Sequence, residues 1–525
     1  MKKFAELLDR LSYTFSRNGK LTLLQNYFLT TSDPDRGYAL AALTDELPLS
    51  VPLKRVLTEL SVSRFDPVLF KLSRDYVGDT AETLALIWPE NDKAKIVPSL
   101  GEIVVAMQSV TRKEISFQIS SWLDQLSTIE RWALLKFLSG APRVGVSARL
   151  AKLSLAHAFS QKLEDIEELW HGLTPPYVEL FNWLEGKGMR PQNADVPTFK
   201  PLMLANPLEA DDWDGLKLED YAVEWKWDGV RVQFVGRGGV MALFSRTGDN
   251  IGSAFPELVS NQSFYAVLDG ELLIKRDADV ASFSDLQQRL NRKTVKPAML
   301  SEYPAHIRLY DALELDGDDL RPLTFGERRK RLEFWHARFS PHHTDLSPIV
   351  QIANKEELHS LWEKTRDSGI EGLMIKLRES PYFAGRPQGK WYKWKRTALT
   401  ADCVLMYAQR GSGKRSSYYS DYTFGAWSEE NGEPVLVPVG KAYSGFTDAE
   451  LLKIDRFVRE NTVQQFGPVR AVVPQLVLEV AFDALNRSKR HKSGIAMRFP
   501  RIARVRWDKP ASEADKLSDL LNHAE

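Results

Sequence analysis

The sequence predicts a multi-domain chain: an all-α N-terminal domain over residues 1–190, an α+β domain over 200–397 and a small β-barrel domain over 398–525. Four observations predict it. Through the first 185 residues apolar positions return every three or four residues, as in "FQISSWLDQLSTIERWALLKFL", with few Gly or Pro, which is the period of helices that bury one face. "GMRPQNADVPTFKPLMLANP", Gly188–Pro207, then carries the Pro and Asn of a linker. Beyond it, short alternating runs bounded by turns ("YAVEWKWDGVRVQFV", "FYAVLDGELLIKR", "HIRLYDALELDG", "IEGLMIKL") read as strands. After residue 397, "ADCVLMYAQ" and "QLVLEVAFDAL" are compatible with a five-stranded barrel.

Composition bounds the chemistry. At 525 residues, 43% hydrophobic and 27% charged, the chain has core material for roughly two to four globular domains. No apolar run approaches the roughly 20 residues of a membrane span. The start "MKKFAELLDRL" is an amphipathic pattern containing acids, unlike a signal peptide, so a cytoplasmic location is expected. The single cysteine, Cys403, builds neither a disulfide nor a multi-cysteine zinc site. Chemistry must come from Lys, Arg, acids or a diffusible metal.

Lys+Arg and Asp+Glu balance at 70 each, but "LNRSKRHKSGIAMRFPRIARVRWDK", residues 485–509, holds ten basic residues against one acid, Asp508. Such a stripe is either a solvated surface or a nucleic-acid or nucleotide footprint. "SGAPRVGVSARLAKLSLA", Ser139–Ala156, makes a loop with Gly and Pro, with Arg143 and Arg149 beside it and Ser147 placed to cap the next helix. Backbone amides at a helix start beside two arginines suit phosphate; an ordinary helix connection has the same residues.

In "YAVEWKWDGVRVQFV" alternation places Val223, Trp225 and Trp227 on one strand face and Glu224 and Lys226 on the other. Asp-Gly then predicts a tight hairpin turn. Lys-x-Asp-Gly alone arises by chance in about one chain in ten of this length, and a surface hairpin lysine is the plain alternative. In "WYKWK", Lys393 and Lys395 share a face opposite Tyr392 and Trp394, so both ammonium groups can meet one phosphate.

Order and spacing narrow the choice. After the lysine come "SRTG" (Ser245–Gly248), "LDGEL" (Leu268–Leu272), "LYDALELDG" (Leu309–Gly317), "EGLMIK" (Glu371–Lys376), "WYKWK" (Trp391–Lys395) and "RFPRIARVRWDK" (Arg498–Lys509). This series resembles the nucleotidyltransferase motifs of the ATP-dependent DNA ligase family, and the helical region, through "DYVGDTAETLALIWP" and the Arg143–Arg149 loop, is similar to the DNA-binding domain of its larger bacterial-type members. The resemblance implies an adenylation domain followed by an OB-fold, ATP with Mg2+ or Mn2+, a nicked double-stranded DNA substrate, a monomer, and association with the nucleoid in replication, repair or recombination. It implies that Lys226 attacks the α-phosphate and carries AMP as a phosphoramidate, splitting one condensation into easier steps. Free lysine, with a pKa of about 10.4, needs nearby cations or desolvation for this.

The same resemblance gives the remaining roles. Glu224 would read the adenine amino group, although as a bare feature it could equally pair with Lys226. Arg231 and Arg246 would hold ribose or phosphate, Glu271 ribose or metal, and Glu371 metal. Tyr310 stands where a stacking Phe is common. Lys393 and Lys395 would meet phosphate, and Arg386 is the candidate arginine upstream of them, seven residues before Lys393 where family members often have six. Arg506, Asp508 and Lys509 would orient pyrophosphate once the barrel swings over the nucleotide, and Arg143 and Arg149 would bind DNA. RNA ligases and capping enzymes share Lys-x-Asp-Gly but fit the long helical domain and the "RFPRIARVRWDK" ending less well. NAD-dependent ligases typically need a zinc module that one cysteine cannot build. A decayed DNA clamp would not retain the lysine, both acids and both later lysines.

Overall fold

The computed structural model describes residues 1–525 except 50, 78, 91–96, 112, 141, 193–194, 261, 278, 291, 293, 366–369, 397, 411–417, 431, 444–446, 489–490, 523 and 525. Lys489 and Arg490 of the basic stripe therefore lie outside the described residues. The chain forms two compact units, Met1–Ser160 with Pro175–Val178 and Ala398–Glu525, and Gln161–Thr174 with Glu179–Thr397. Among the described residues no helix is long and apolar enough to cross a membrane.

In the first unit the opening amphipathic run is the helix Lys2–Tyr13, which buries Phe4, Leu7, Leu8 and Leu11. Phe4 meets Phe137 of the helix Thr128–Leu138 edge to face, with ring centroids 5.6 Å apart. Ser147 caps the helix Ala148–Ala158, its hydroxyl accepting from Leu150 N at 3.2 Å, which satisfies one orphan amide of the first turn. Lys20 Nζ donates to the carbonyls of Val144 (2.6 Å) and Gly145 (3.0 Å), tying the preceding loop to the helix Arg17–Thr30.

The same unit holds the C-terminal β-rich domain. Its main sheet has seven strands among the described residues rather than five. The long strand Leu399–Arg410 explains the excess, because one edge pairs first with Val477–Phe482, through Leu399 to Val404, and then with Val469–Val472, through Tyr407 to Gln409. Cys403, Leu405, Phe424, Leu478 and Ile502 fill its core.

The second unit is built on two sheets. Five strands run in the order Asn206–Pro207, Trp391–Lys395, Ile370–Leu377, Tyr221–Trp227, Ile349–Val350; the other sheet is centred on Val230–Arg237, Ala266–Arg276 and Ala305–Leu315. The expected hairpin at Asp228-Gly229 is not there. Tyr221–Trp227 pairs with Ile370–Leu377 and Ile349–Val350, whereas Val230–Arg237 pairs with Val240–Ser245 and Ala266–Arg276. Asp-Gly is a crossing from one sheet to the other, because long-range partners decided the pairing that the local turn signal suggested. Glycine is needed at 229 for close approach: a Cβ there would lie 2.4 Å from the Leu272 carbonyl and 2.8 Å from Glu271 Cγ.

Buried polar pairs brace this unit. Arg328 donates from Nε and Nη2 to Asp311 at 2.9 and 2.8 Å, and both side chains are fully buried. Gln233 accepts from Lys200 N and donates to Lys200 O, each at 2.8 Å, pinning the linker to the sheet. The helix Leu163–Leu169 and the turn after it also belong here: Arg321 Nη1 donates to Glu168 at 2.8 Å and His171 lies 4.4 Å from the Phe244 ring.

Candidate active site

Sheet register brings the predicted residues together. Gly372 lies opposite Lys226 on one neighbouring strand and Lys395 on the other, and Met374 lies likewise between Glu224 and Lys393. Lys226, Lys395, Glu224 and Lys393 therefore form two cross-strand rows on one face. Val223, Leu373, Ile375 and Tyr392, with Trp225 and Trp394 against them, pack the opposite face. A bulge between Ile370 and Gly372 leaves Glu371 as the extra residue, and bulges re-aim side chains. Its carboxylate pairs with Lys226 Nζ, while Lys395 Nζ lies 3.4 Å from the same oxygen. At Gly372, φ is +149° and a Cβ would sit 2.1 Å from the Trp394 carbonyl, so the bulge requires glycine.

The electrostatics follow from burial. Burial works against the charged form of Glu371, but Lys226 and Lys395 overcome it and hold the carboxyl down at about 2. Glu271 goes the other way: burial pushes it up to about 8, Lys226 opposes this, and the charge of Glu371 adds to it. Burial lowers the Lys393 ammonium, and repulsion from Arg386, Lys395, Lys226 and Arg246 lowers it further. The predicted cations thus share one electrostatic environment.

That environment fits a divalent cation. Glu271 is a desolvated carboxyl beside a second carboxylate, a combination that a cation would relieve. Among the described residues no group of three His, Cys, Asp or Glu side chains forms a ready metal cage. The donor set is then the two carboxylates Glu271 and Glu371, which suits an ion that completes its shell with water and substrate phosphate.

Glu224 is buried, but not against Lys226. Lys376 Nζ lies 2.5 Å from Oε2 as a charge contact without hydrogen-bond alignment, and Arg329 Nη1 lies 3.4 Å from Oε1. The alternative that Glu224 pairs with Lys226 is therefore corrected, since Glu371 takes that place. Lys376 Nζ also lies 4.4 Å from the centre of the Tyr310 ring. Arg231 is anchored: Nε and Nη2 donate to Asp269 at 3.0 and 2.5 Å, Nη1 donates to the Met203 carbonyl at 2.7 Å, and Tyr382 lies 3.1 Å from Nη2. Sequence reasoning missed Lys376, Arg329 and Asp269. Lys376 ends the quoted "EGLMIK" and Asp269 sits inside "LDGEL", but Arg329 lies in a helix with no motif around it.

In the other unit Arg506 donates to Asp508 from Nε at 3.1 Å and Nη2 at 2.9 Å. Lys509 is not held by Asp508: its Nζ donates to Asp402 at 2.8 Å, and Arg506 Nη1 lies 3.4 Å from the same carboxylate oxygen. Arg149 is exposed in the first turn of the helix Ala148–Ala158, and Arg143, with φ of +56°, is exposed in the loop before it.

Residues 202–395 match the sequence model of the ATP dependent DNA ligase domain and residues 415–509 that of the ATP dependent DNA ligase C terminal region. A probable DNA ligase of Koribacter versatilis is 31% identical over 98% of this chain and 95% of its own length. The chain belongs to the ATP-dependent DNA ligase family. DNA ligase 1 of Korarchaeum cryptofilum is 30% identical over 98% of this chain and 97% of its own. This ligase shares its fold with the solved structure of Pmar-Lig_PreS3, at a TM-score of 0.58 and 17% identity over 96% of this chain and 99% of that one. The helical region, the nucleotidyltransferase domain and the β-rich C-terminal domain are thus those of a DNA ligase.

Proposed function

We propose that this chain seals nicks in duplex DNA, spending ATP through a covalent lysyl-AMP and an adenylylated 5′-phosphate, with Lys226 as nucleophile. One observation carries the assignment: a bulge aims Glu371 at Lys226 in a row that also holds Lys395, beside a second row ending in Lys393. Glu371 orients the Lys226 ammonium, which must lose a proton before Nζ attacks the α-phosphorus. The P–N bond then forms as the bond to pyrophosphate breaks. Lys393 and Lys395, with Arg246 and Arg386, neutralise phosphate charge. Glu224, held by Lys376 and Arg329, reads the adenine edge, and Tyr310 stacks on the base. Arg231 acts from its fixed place against Asp269. Glu271 and Glu371 would hold a divalent cation, Mg2+ or Mn2+, whose positive charge would favour the neutral amine and offset the charge of the phosphates.

Arg506 and Lys509, with Asp508, orient pyrophosphate when the C-terminal domain closes on ATP, a way of ordering steps by domain motion. Arg143 and Arg149 grip DNA phosphates. The protein acts as a monomer on nucleoid DNA in the cytoplasm, in repair, replication or recombination. The test is a sealing assay on a nicked duplex, comparing ATP with NAD and DNA strands with RNA strands. Sealing of DNA with ATP is expected; sealing with NAD alone, or of RNA strands only, would refute the proposal.

A further inference from the structure

Asp402 carries no motif, yet both cations of the C-terminal motif converge on it. Lys509 Nζ lies 2.8 Å and Arg506 Nη1 3.4 Å from Oδ2. The side chains of Asp402, Arg506 and Lys509 are only 14%, 19% and 20% exposed. Asp402 also has a fixed backbone, since its N donates to Asp515 Oδ2 and its carbonyl accepts from Asp515 N, each at 2.9 Å. Its strand pairs with Val477–Phe482, which pairs in turn with Arg501–Arg506, so the carboxylate is placed by two ladders. Asp508, by contrast, is 69% exposed and holds Arg506 alone among these two cations. Oδ1 of Asp402 is buried with no hydrogen-bond partner among the described residues. Asp402 thus directs one oxygen, Oδ2, at two like charges that otherwise repel.

We propose that Asp402 is a positioning residue for the lysine-adenylylation step, holding Arg506 and Lys509 as a preformed pair for the pyrophosphate end of ATP. The inference rests on the reading that those two residues orient pyrophosphate. Because that task ends when pyrophosphate leaves, Asp402 matters for the first step and not for the last. The hydrogen bond to Asp402, helped by the charges of Asp402 and Asp515, places the Lys509 ammonium above its ordinary range against the opposing effect of burial, so the cation stays charged while it waits.

The experiment compares Asp402→Asn, the double variant Arg506→Ala/Lys509→Ala and wild type in three single-turnover measurements: lysyl-AMP formation at saturating ATP, discharge of lysyl-AMP by added pyrophosphate, and sealing of a nick that already carries AMP. For Asp402→Asn we expect a tenfold or greater fall in the first two and less than a twofold change in the third. An equal fall in all three, tracking a lowered melting temperature, would make Asp402 merely structural and overturn the inference. Wild-type adenylylation by Asp402→Asn alongside a crippled double variant would overturn it while leaving the pyrophosphate reading intact. Wild-type adenylylation by the double variant would overturn both. Should Asp402→Asn not fold, Asp402→Glu, which moves the carboxylate by one methylene, gives the same contrast between steps.

Discussion

The two sites of charge in this ligase are built differently. Around Lys226, ionic groups are placed by sheet register and coupled closely enough that Glu371 is held at about 2 while Glu271 is pushed up to about 8. Around Arg506 the pairing is divided: Asp402, largely buried, meets both Arg506 and Lys509, while Asp508, 69% exposed, reaches Arg506 by a side-chain contact alone. Buried charges answer to geometry, because an unpaired charge there costs several kcal/mol. Exposed ones are screened and contribute little to stability. The difference teaches that the first site is placed throughout by sheet register, whereas at the second a fixed Asp402 holds both cations and only the Asp508 contact is an exposed side-chain one.

The largest effect expected from this contrast is on folding. Asp311→Ala strands the fully buried Arg328 and should cost about 3–5 kcal/mol in denaturant unfolding. The same change at exposed Asp508 should leave the unfolding midpoint almost unmoved. Similar losses at both positions would erase the distinction.

Next is Glu371→Gln, which removes the charge that aligns Lys226 and Lys395. Lysyl-AMP formation should fall about a hundredfold, in line with the cost of small misplacements of reacting groups, with little loss of DNA affinity. A full-rate variant would show that the bulge aims nothing.

A third effect is one of pH. In the nucleotide-free protein Glu271 titrates at about 8, above its ordinary value of 4.5. Between those values the folded chain keeps a proton that the unfolded chain has released, so stability is present at low pH and drains as pH rises. From pH 6 to 8 the loss should be on the order of 2 kcal/mol, and Glu271→Gln should flatten the slope. An unchanged slope in the variant would place the titration elsewhere.

The smallest effect belongs to the exposed arginines of the first unit. Arg143→Ala with Arg149→Ala should weaken nick binding several-fold and lower the salt slope by about 2, roughly one per phosphate contact, while leaving lysyl-AMP formation intact. An unchanged salt slope would assign the loop another task.

Much of this was legible in the sequence where periodicity and spacing carry physical content. Alternation placed Lys393 and Lys395 opposite Tyr392 and Trp394, and Ser147 was readable as a cap. What escaped depends on contacts distant in sequence. Asp-Gly at 228–229 reads locally as a hairpin, yet the strands on either side join different sheets. The bulge that turns Glu371 toward Lys226 leaves only a glycine as its trace. Arg329 and Asp402 reach their partners across 105 and 107 residues, and no local pattern marks them.

The central claim is that Lys226, among several lysines gathered at one site, is the one that carries AMP. Its most direct test is to incubate the protein with ATP and a divalent cation, digest it under conditions that preserve phosphoramidates, and locate the adduct by tandem mass spectrometry. The account predicts a single AMP on the Lys226 peptide and none in Lys226→Ala. AMP on Lys393 or Lys395, or an adduct in the Lys226→Ala protein, would contradict it.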